Sequence, residues 1–207
     1  MRKTWIYSLA FLLLATSAWG GQGGDILAKL KRVYSKIYSV KADFIQETTL
    51  GLKKKATHKG KVYLVPGKSR WDYEEPEPQL VLTHGDKFLL YDPVNKEAVE
   101  GILDKEAIVT RGPFFSLVDQ IQKYYHVTQI QTDKAIILTL IPKKPGAPVQ
   151  KVTVYLNPKT LLIEKIETLD SLDNLNTVTF ENIKINVPID PSVFEVKLPP
   201  GVKISHP

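Results

Sequence analysis

Between Gly60 and Pro93 the chain reads GKVYLVPGKSRWDYEEPEPQLVLTHGDKFLLYDP, a block of short apolar runs broken by turn residues. The pattern predicts four strands: Lys61–Val65, Arg70–Glu74, Leu80–Thr83 and Lys87–Tyr91. Pro66-Gly67-Lys68 and the proline-spaced acidic run Glu75–Pro78 are turns, and His84-Gly85-Asp86 signals a hairpin because glycine accepts the positive φ of a tight turn. In Arg70–Glu74 strict alternation puts Trp71 and Tyr73 on one face and Arg70, Asp72 and Glu74 on the other. Such a strand belongs to a sheet with one wet face and one apolar face, and the apolar face needs a cover.

Elsewhere the period changes. Ile26, Leu30, Val33 and Ile37, flanked by Leu27 and Tyr34, recur at helical spacing, and Asp25 can cap a helix running to about Tyr38. Its other flanks carry Lys29, Lys31, Arg32 and Lys36. Val40–Leu50 is strand-like, with Val40, Ala42 and Phe44 alternating before the polar Gln46–Thr49. Gly51–Lys59, with Lys53-Lys54-Lys55, is expected to form a basic hairpin tip. After another strand, Asn95–Val99, the segment Arg111-Gly112-Pro113 opens a second helix, Phe114–Ile121. From Tyr124 the expectation is β again: Tyr124–Gln131, Ala135–Ile141, Gln150–Leu156, Leu162–Leu169, Thr177–Asn186 and Val193–Leu198. The sum is mainly β (α+β), one strongly curved antiparallel sheet of about ten or eleven strands with two or three helices on its concave side.

The first twenty residues stand apart. Arg2 and Lys3, the apolar run Ile6–Leu14 and the small-x-small Ala18-Trp19-Gly20 have the layout of a signal peptide cleaved after Gly20. No cysteine stands at that junction, so export as a soluble protein without a lipid anchor is expected, with residues 21–207 as one domain. Of 207 residues 28 are Lys or Arg and 22 Asp or Glu, a net charge of +6 that is scattered rather than striped, which argues against a nucleic-acid partner. The absence of cysteine excludes disulfides and thiol chemistry.

Catalytic signatures are lacking. His58, His84, His126 and His206 make no metal-ligand spacing, and no metal or other cofactor is expected. Ser69 and Ser116 sit in no nucleophile elbow. Glu74, Glu75 and Glu77 fall in a turn, and Asp170–Asn176 lacks the glycine and terminal glutamate of a calcium loop. The chain is read as a non-enzyme. What remains is apolar surface on a sheet, either packed dry under helices or left as a cavity for an apolar ligand.

Taken in order, Gly60, Tyr63, Pro66-Gly67-Lys68, Arg70-Trp71-Asp72-Tyr73, Pro76, Gly85-Asp86 and Tyr91-Asp92-Pro93 resemble the LolA-type outer-membrane lipoprotein carrier proteins. Val40–Gln46, Gly112-Pro113-Phe114 and Phe194–Val202 extend the resemblance over nearly all of the expected mature chain. The resemblance implies an unclosed β-barrel with helices as a lid over an apolar cavity, in the periplasm. It implies a chaperone that takes acylated lipoproteins from an ATP-driven inner-membrane transporter and delivers them to the outer membrane, where a lipoprotein receptor is a further partner. The protein is expected to act as a monomer. Phe44, Tyr63, Val65, Trp71, Tyr73, Leu82, Leu90, Phe114 and Leu117 are the expected cavity residues. The sequence departs from the family at Val65, where many members carry a basic residue that holds the lid, and at Ser69, where they carry an aromatic one. Lys68, Ser69 and Arg70 are therefore the candidates for a gate or a partner contact. The alternative on the same fold is an envelope module that senses or binds lipid or lipopolysaccharide.

Overall fold

A computed structural model describes residues 24–50, 54–103 and 121–206. Helix α1 (Gly24–Tyr34) is followed by strands β1 (Val40–Leu50), β2 (Lys54–Val65), β3 (Lys68–Glu75), β4 (Gln79–His84), β5 (Lys87–Asp92) and β6 (Glu97–Ile102). After residues 121–124, which are helical, come β7 (Tyr125–Gln131), β8 (Ile136–Pro142), β9 (Val149–Leu156), β10 (Ile163–Asp170), β11 (Leu175–Ile185), a 3-10 turn (Pro191–Phe194) and β12 (Lys203–Ser205). All strands join one 12-stranded sheet in the order β12-β6-β5-β4-β3-β2-β1-β11-β10-β9-β8-β7. The fold is the mainly β, curved, unclosed sheet that the sequence implies. Sequential hairpins build each half, and the pairing of β1 with β11 joins the halves across the chain.

Register decides the two faces. Directly opposed residues share a face, so Phe44↔Gly60, Gly60↔Tyr73 and Phe44↔Phe180 place Phe44, Tyr73 and Phe180 together. The same face carries Ala42, Val62 and Leu64, and from the other half Leu138, Leu140, Val152 and Val154, all buried in one apolar core. Helix α1 closes one end of this face: Ile26, Leu27, Leu30 and Tyr34, with Ile37 just past its end, are buried in the same core. The backbone N–H of Ile163 donates to Tyr34 Oη at 3.0 Å, tying the helix to β10. A void of about 30 Å³ lies there, beside Tyr34, Ala42, Leu64 and Phe180. This end is dry core.

Five details differ from expectation. Helix α1 stops at Tyr34 rather than Tyr38, because Asn186 captures the departing chain: Tyr38 N–H donates to Asn186 Oδ1 at 2.9 Å, and Tyr38 Oη donates to Asn186 O. Lys54 and Lys55 are not in a hairpin tip but in β2, paired with Leu50 and Thr49, so the ladder runs up to residues 51–53, outside the described structure. The sheet has twelve strands, and its last pair, β12 with β6, is parallel. Val193–Leu198 is not a strand. Asp190 caps a 3-10 turn there, Oδ1 accepting from Ser192 N–H at 2.9 Å, and Glu195 N–H closes it on Ser192 O at 3.0 Å. Helical structure reaches Tyr124 rather than Ile121; the rest of the expected second helix, with Phe114 and Leu117, lies outside the described residues.

Candidate functional site

The end of the concave face that α1 does not cover opens into a cleft of about 940 Å³. That is near the upper end of the range for small-molecule sites. Its floor begins at an aromatic cluster. Phe44, 1% exposed, meets Trp71 edge-on at 5.1 Å and Tyr73 at 5.0 Å between ring centroids. Trp71 in turn leans on Phe180 at 5.9 Å. Gly60 lets Phe44 sit this low: a Cβ there would stand 1.9 Å from Asp72 O and 2.9 Å from Phe44 Cε1. Edge-to-face geometry of this kind adds about 0.5–1.5 kcal/mol per pair beyond burial.

From the cluster the cleft extends both ways across the sheet. Val81, Phe88, Leu90 and Leu103 line it on the β4–β6 side, and Tyr124, Tyr125, Pro142, Val149 and Val178 on the other. Between these apolar walls runs a polar row. Tyr73 Oη donates to Gln46 Oε1 at 2.7 Å, Gln46 Nε2 to Asn176 Oδ1 at 2.9 Å, and Thr48 Oγ1 to the same Asn176 oxygen at 3.0 Å. His58, opposite Gln46 in the ladder, stands edge-on to Tyr73 at 6.0 Å.

The rim is basic and apolar. Lys123, Lys143, Lys144, Ala147 and Pro148 stand there, with Lys143 Nζ donating to Gln122 O at 2.7 Å. Leu172 is held out at 76% exposure by the β10–β11 turn. Asp170 organises that turn, its carboxylate accepting from Asn174 Nδ2 and N and from Leu172 N at 2.8, 2.9 and 2.8 Å. These bonds, the Asn174 side chain first, hold the Asp170 carboxyl below its ordinary range. Asp170 is thus satisfied by local amides, while Asp173 Oδ1 accepts from Gln150 Nε2 of β9 at 3.0 Å.

Of the residues expected in the cavity, Trp71, Tyr73 and Leu90 line the cleft, and Phe44 is packed beneath it. Tyr63, Val65 and Leu82 project from the opposite face. Their phase in the ladder puts Tyr63 and Leu82 opposite Arg70, and Val65 opposite Lys68; Lys41 Nζ lies 5.3 Å from the centre of the Tyr63 ring. The gate candidates also part company. Ser69 is 0% exposed and shares a 2.6 Å hydrogen bond with Thr83 Oγ1, so it cannot contact a partner. Arg70 faces the other side, where Nε donates to Asp72 Oδ1 at 2.8 Å and Nη1 to Val193 O at 2.8 Å. It anchors the C-terminal segment across β3. Lys68, paired with Val65 and His84, lies on that same convex side. Sequence reasoning missed Gln46, Thr48 and Asn176. The parity of Gln46 and Thr48 with Phe44, an expected cavity residue on the same strand, is the signal that could have found them.

The family model and the curated relatives agree with one another. The sequence model of the family described as outer membrane lipoprotein carrier protein LolA matches residues 35–197. A protein of Chromohalobacter salexigens named outer-membrane lipoprotein carrier protein is 30% identical over 200 residues, spanning 94% of this chain and 92% of its own. A Coxiella burnetii protein of the same name is 23% identical over 205 residues, spanning 98% and 97%. The crystal structure of an uncharacterized conserved protein from Thermus thermophilus superposes with a TM-score of 0.56 at 10% identity, covering 90% of this chain and all of that one; it bears on the fold alone.

Proposed function

This chain belongs to the family of outer membrane lipoprotein carrier proteins, and from that premise we propose that its cleft receives the acyl chains of a lipoprotein and shields them across the periplasm. The direction is from the inner to the outer membrane. An ATP-driven transporter loads the carrier, and a receptor at the outer membrane unloads it. The protein works as a monomer and catalyses no reaction of its own.

Solvation dictates the need. Each buried methylene is worth about 0.8 kcal/mol, so an acyl chain of ordinary length does not leave a membrane unaided. A carrier must offer comparable apolar surface and still let go. The observation that carries this reading is the division of the concave face: among the described residues one end is packed core under α1, while the other holds a cleft of about 940 Å³ with apolar walls.

The test uses residues 21–207, in which Trp71 is the only tryptophan and lines the cleft. Titration with a diacylated lipopeptide is expected to shift Trp71 emission to the blue and to saturate at one per protein, with the complex visible by native mass spectrometry. No shift and no complex would overturn the reading. Recovery from the envelope with only phospholipid or lipopolysaccharide bound would replace it with the lipid-sensing alternative.

A further inference from the structure

The polar row on the cleft floor has an asymmetry that neither the walls nor the core require. Gln46 and Thr48 come from β1, Asn176 from β11 and Tyr73 from β3, and all four line the cleft. Counting hydrogens shows what is left over. Asn176 Oδ1 has both lone pairs engaged, by Gln46 Nε2 at 2.9 Å and Thr48 Oγ1 at 3.0 Å. Gln46 Oε1 is engaged by Tyr73 Oη at 2.7 Å. No acceptor among the described residues takes the two N–H groups of Asn176 Nδ2 or the second N–H of Gln46 Nε2. The surplus is of donors, side by side, between the apolar walls of the cleft.

Donor N–H groups stripped of water and left without an acceptor are costly, so the row disfavours a plain hydrocarbon lying across it. A ligand that brings oxygen acceptors at the head of each apolar chain turns that penalty into a bond. Resting on the carrier reading above, we infer that Asn176 and Gln46 form a carbonyl-binding subsite that recognises the ester or amide oxygens of acyl groups. Position along β1 agrees. The row lies between Phe44, at the sealed end, and Leu50, which is 48% exposed near the mouth. A chain whose tail packs on the aromatic cluster and walls then presents its carbonyl where the donors are. Sites built to hydrogen-bond a group discriminate strongly against analogues that lack it. The subsite selects acylated ligands over alkyl ones of equal length.

The experiment compares two probes that differ only in carbonyl oxygens: a dipalmitoyl S-glyceryl-cysteine lipopeptide and its dihexadecyl ether analogue. Affinities for the protein of residues 21–207 are read from Trp71 emission. The ester is expected to bind about tenfold more tightly than the ether. Asn176→Leu is expected to bring the ratio near one, mainly by weakening the ester. Equal binding of both probes by the unaltered protein overturns the subsite while leaving the carrier reading intact. So does an unchanged ratio in Asn176→Leu. Binding of neither probe overturns the carrier reading, and the subsite with it. The comparison on the unaltered protein needs no variant to fold.

Discussion

Replacing Gly60 with alanine tests how the aromatic floor is seated. The added Cβ would lie 1.9 Å from Asp72 O, on the paired strand, and 2.9 Å from Phe44 Cε1. The first contact is with backbone, which yields only by opening the β2–β3 ladder where its register already shifts between Lys59 and Gly60. The second displaces a ring that is 1% exposed and touches both Trp71 and Tyr73. Overpacking costs about 1–3 kcal/mol, and a rigid obstacle puts this case at the upper end. Losing glycine's freedom in the unfolded chain returns about 0.4–1 kcal/mol. The net expectation is a loss of about 2 kcal/mol, a large part of the roughly 5–15 kcal/mol that holds a domain together. Urea unfolding of residues 21–207, followed through Trp71, should show the midpoint falling by about 1 M for a slope near 2 kcal/mol per M. The native emission of Trp71 should also change, because its neighbour moves. A variant as stable as the parent, with unchanged emission, would refute the close approach of β2 to β3 and the seat it provides for Phe44.

Two further predictions concern buried polar groups. Ser69→Ala leaves the Thr83 hydroxyl, 2% exposed, without its 2.6 Å partner and should cost about 1–3 kcal/mol; adding Thr83→Val should recover most of that loss, and strictly additive losses in urea unfolding would refute the pairing. Tyr34→Phe removes the acceptor of Ile163 N–H at a cost of about 1–2 kcal/mol near neutral pH. Burial raises the Tyr34 phenol well above its ordinary value, so the folded state holds that proton more tightly than the unfolded chain. The resulting stability is whole below about pH 10, the ordinary phenol value, and is lost as pH rises from there toward the folded value. The advantage of the parent over Tyr34→Phe should therefore narrow above pH 10 in pH-dependent unfolding, and a constant gap would contradict the burial.

Most of the architecture was legible because period and turn chemistry agreed. Arg70–Glu74 alternates cleanly, and the structure keeps Trp71 and Tyr73 on the cleft side with Arg70 and Asp72 behind. The α1 stripe is buried as its spacing implies. What failed was phase and context. Tyr63, Val65 and Leu82 are as apolar as their neighbours, yet the ladder turns them to the convex face; residue type does not tell an observer which of two alternating sets looks inward. Val193–Leu198 alternates like a strand, but Asp190 and Pro191 divert the chain into local hydrogen bonds. The polar row was hidden for the opposite reason. Gln46 and Thr48 read as the wet end of β1, and only the pairing of that strand with β11 across the fold brings Asn176 beside them.

The open order of the sheet has a mechanical consequence. A closed barrel sets its bore by strand number and shear, so widening it means breaking a ladder. Here β12 and β7 stand at the two ends of the order, and the width of the cleft follows from the twist accumulated between them. Neighbouring strands in sheets ordinarily differ by roughly 10–35° in twist. A change of only about 2° at each junction of a 12-stranded sheet sums to about 20° from end to end, well inside that spread. An open sheet of this kind can widen or narrow by twist alone, with every interstrand hydrogen bond kept and the work held as curvature.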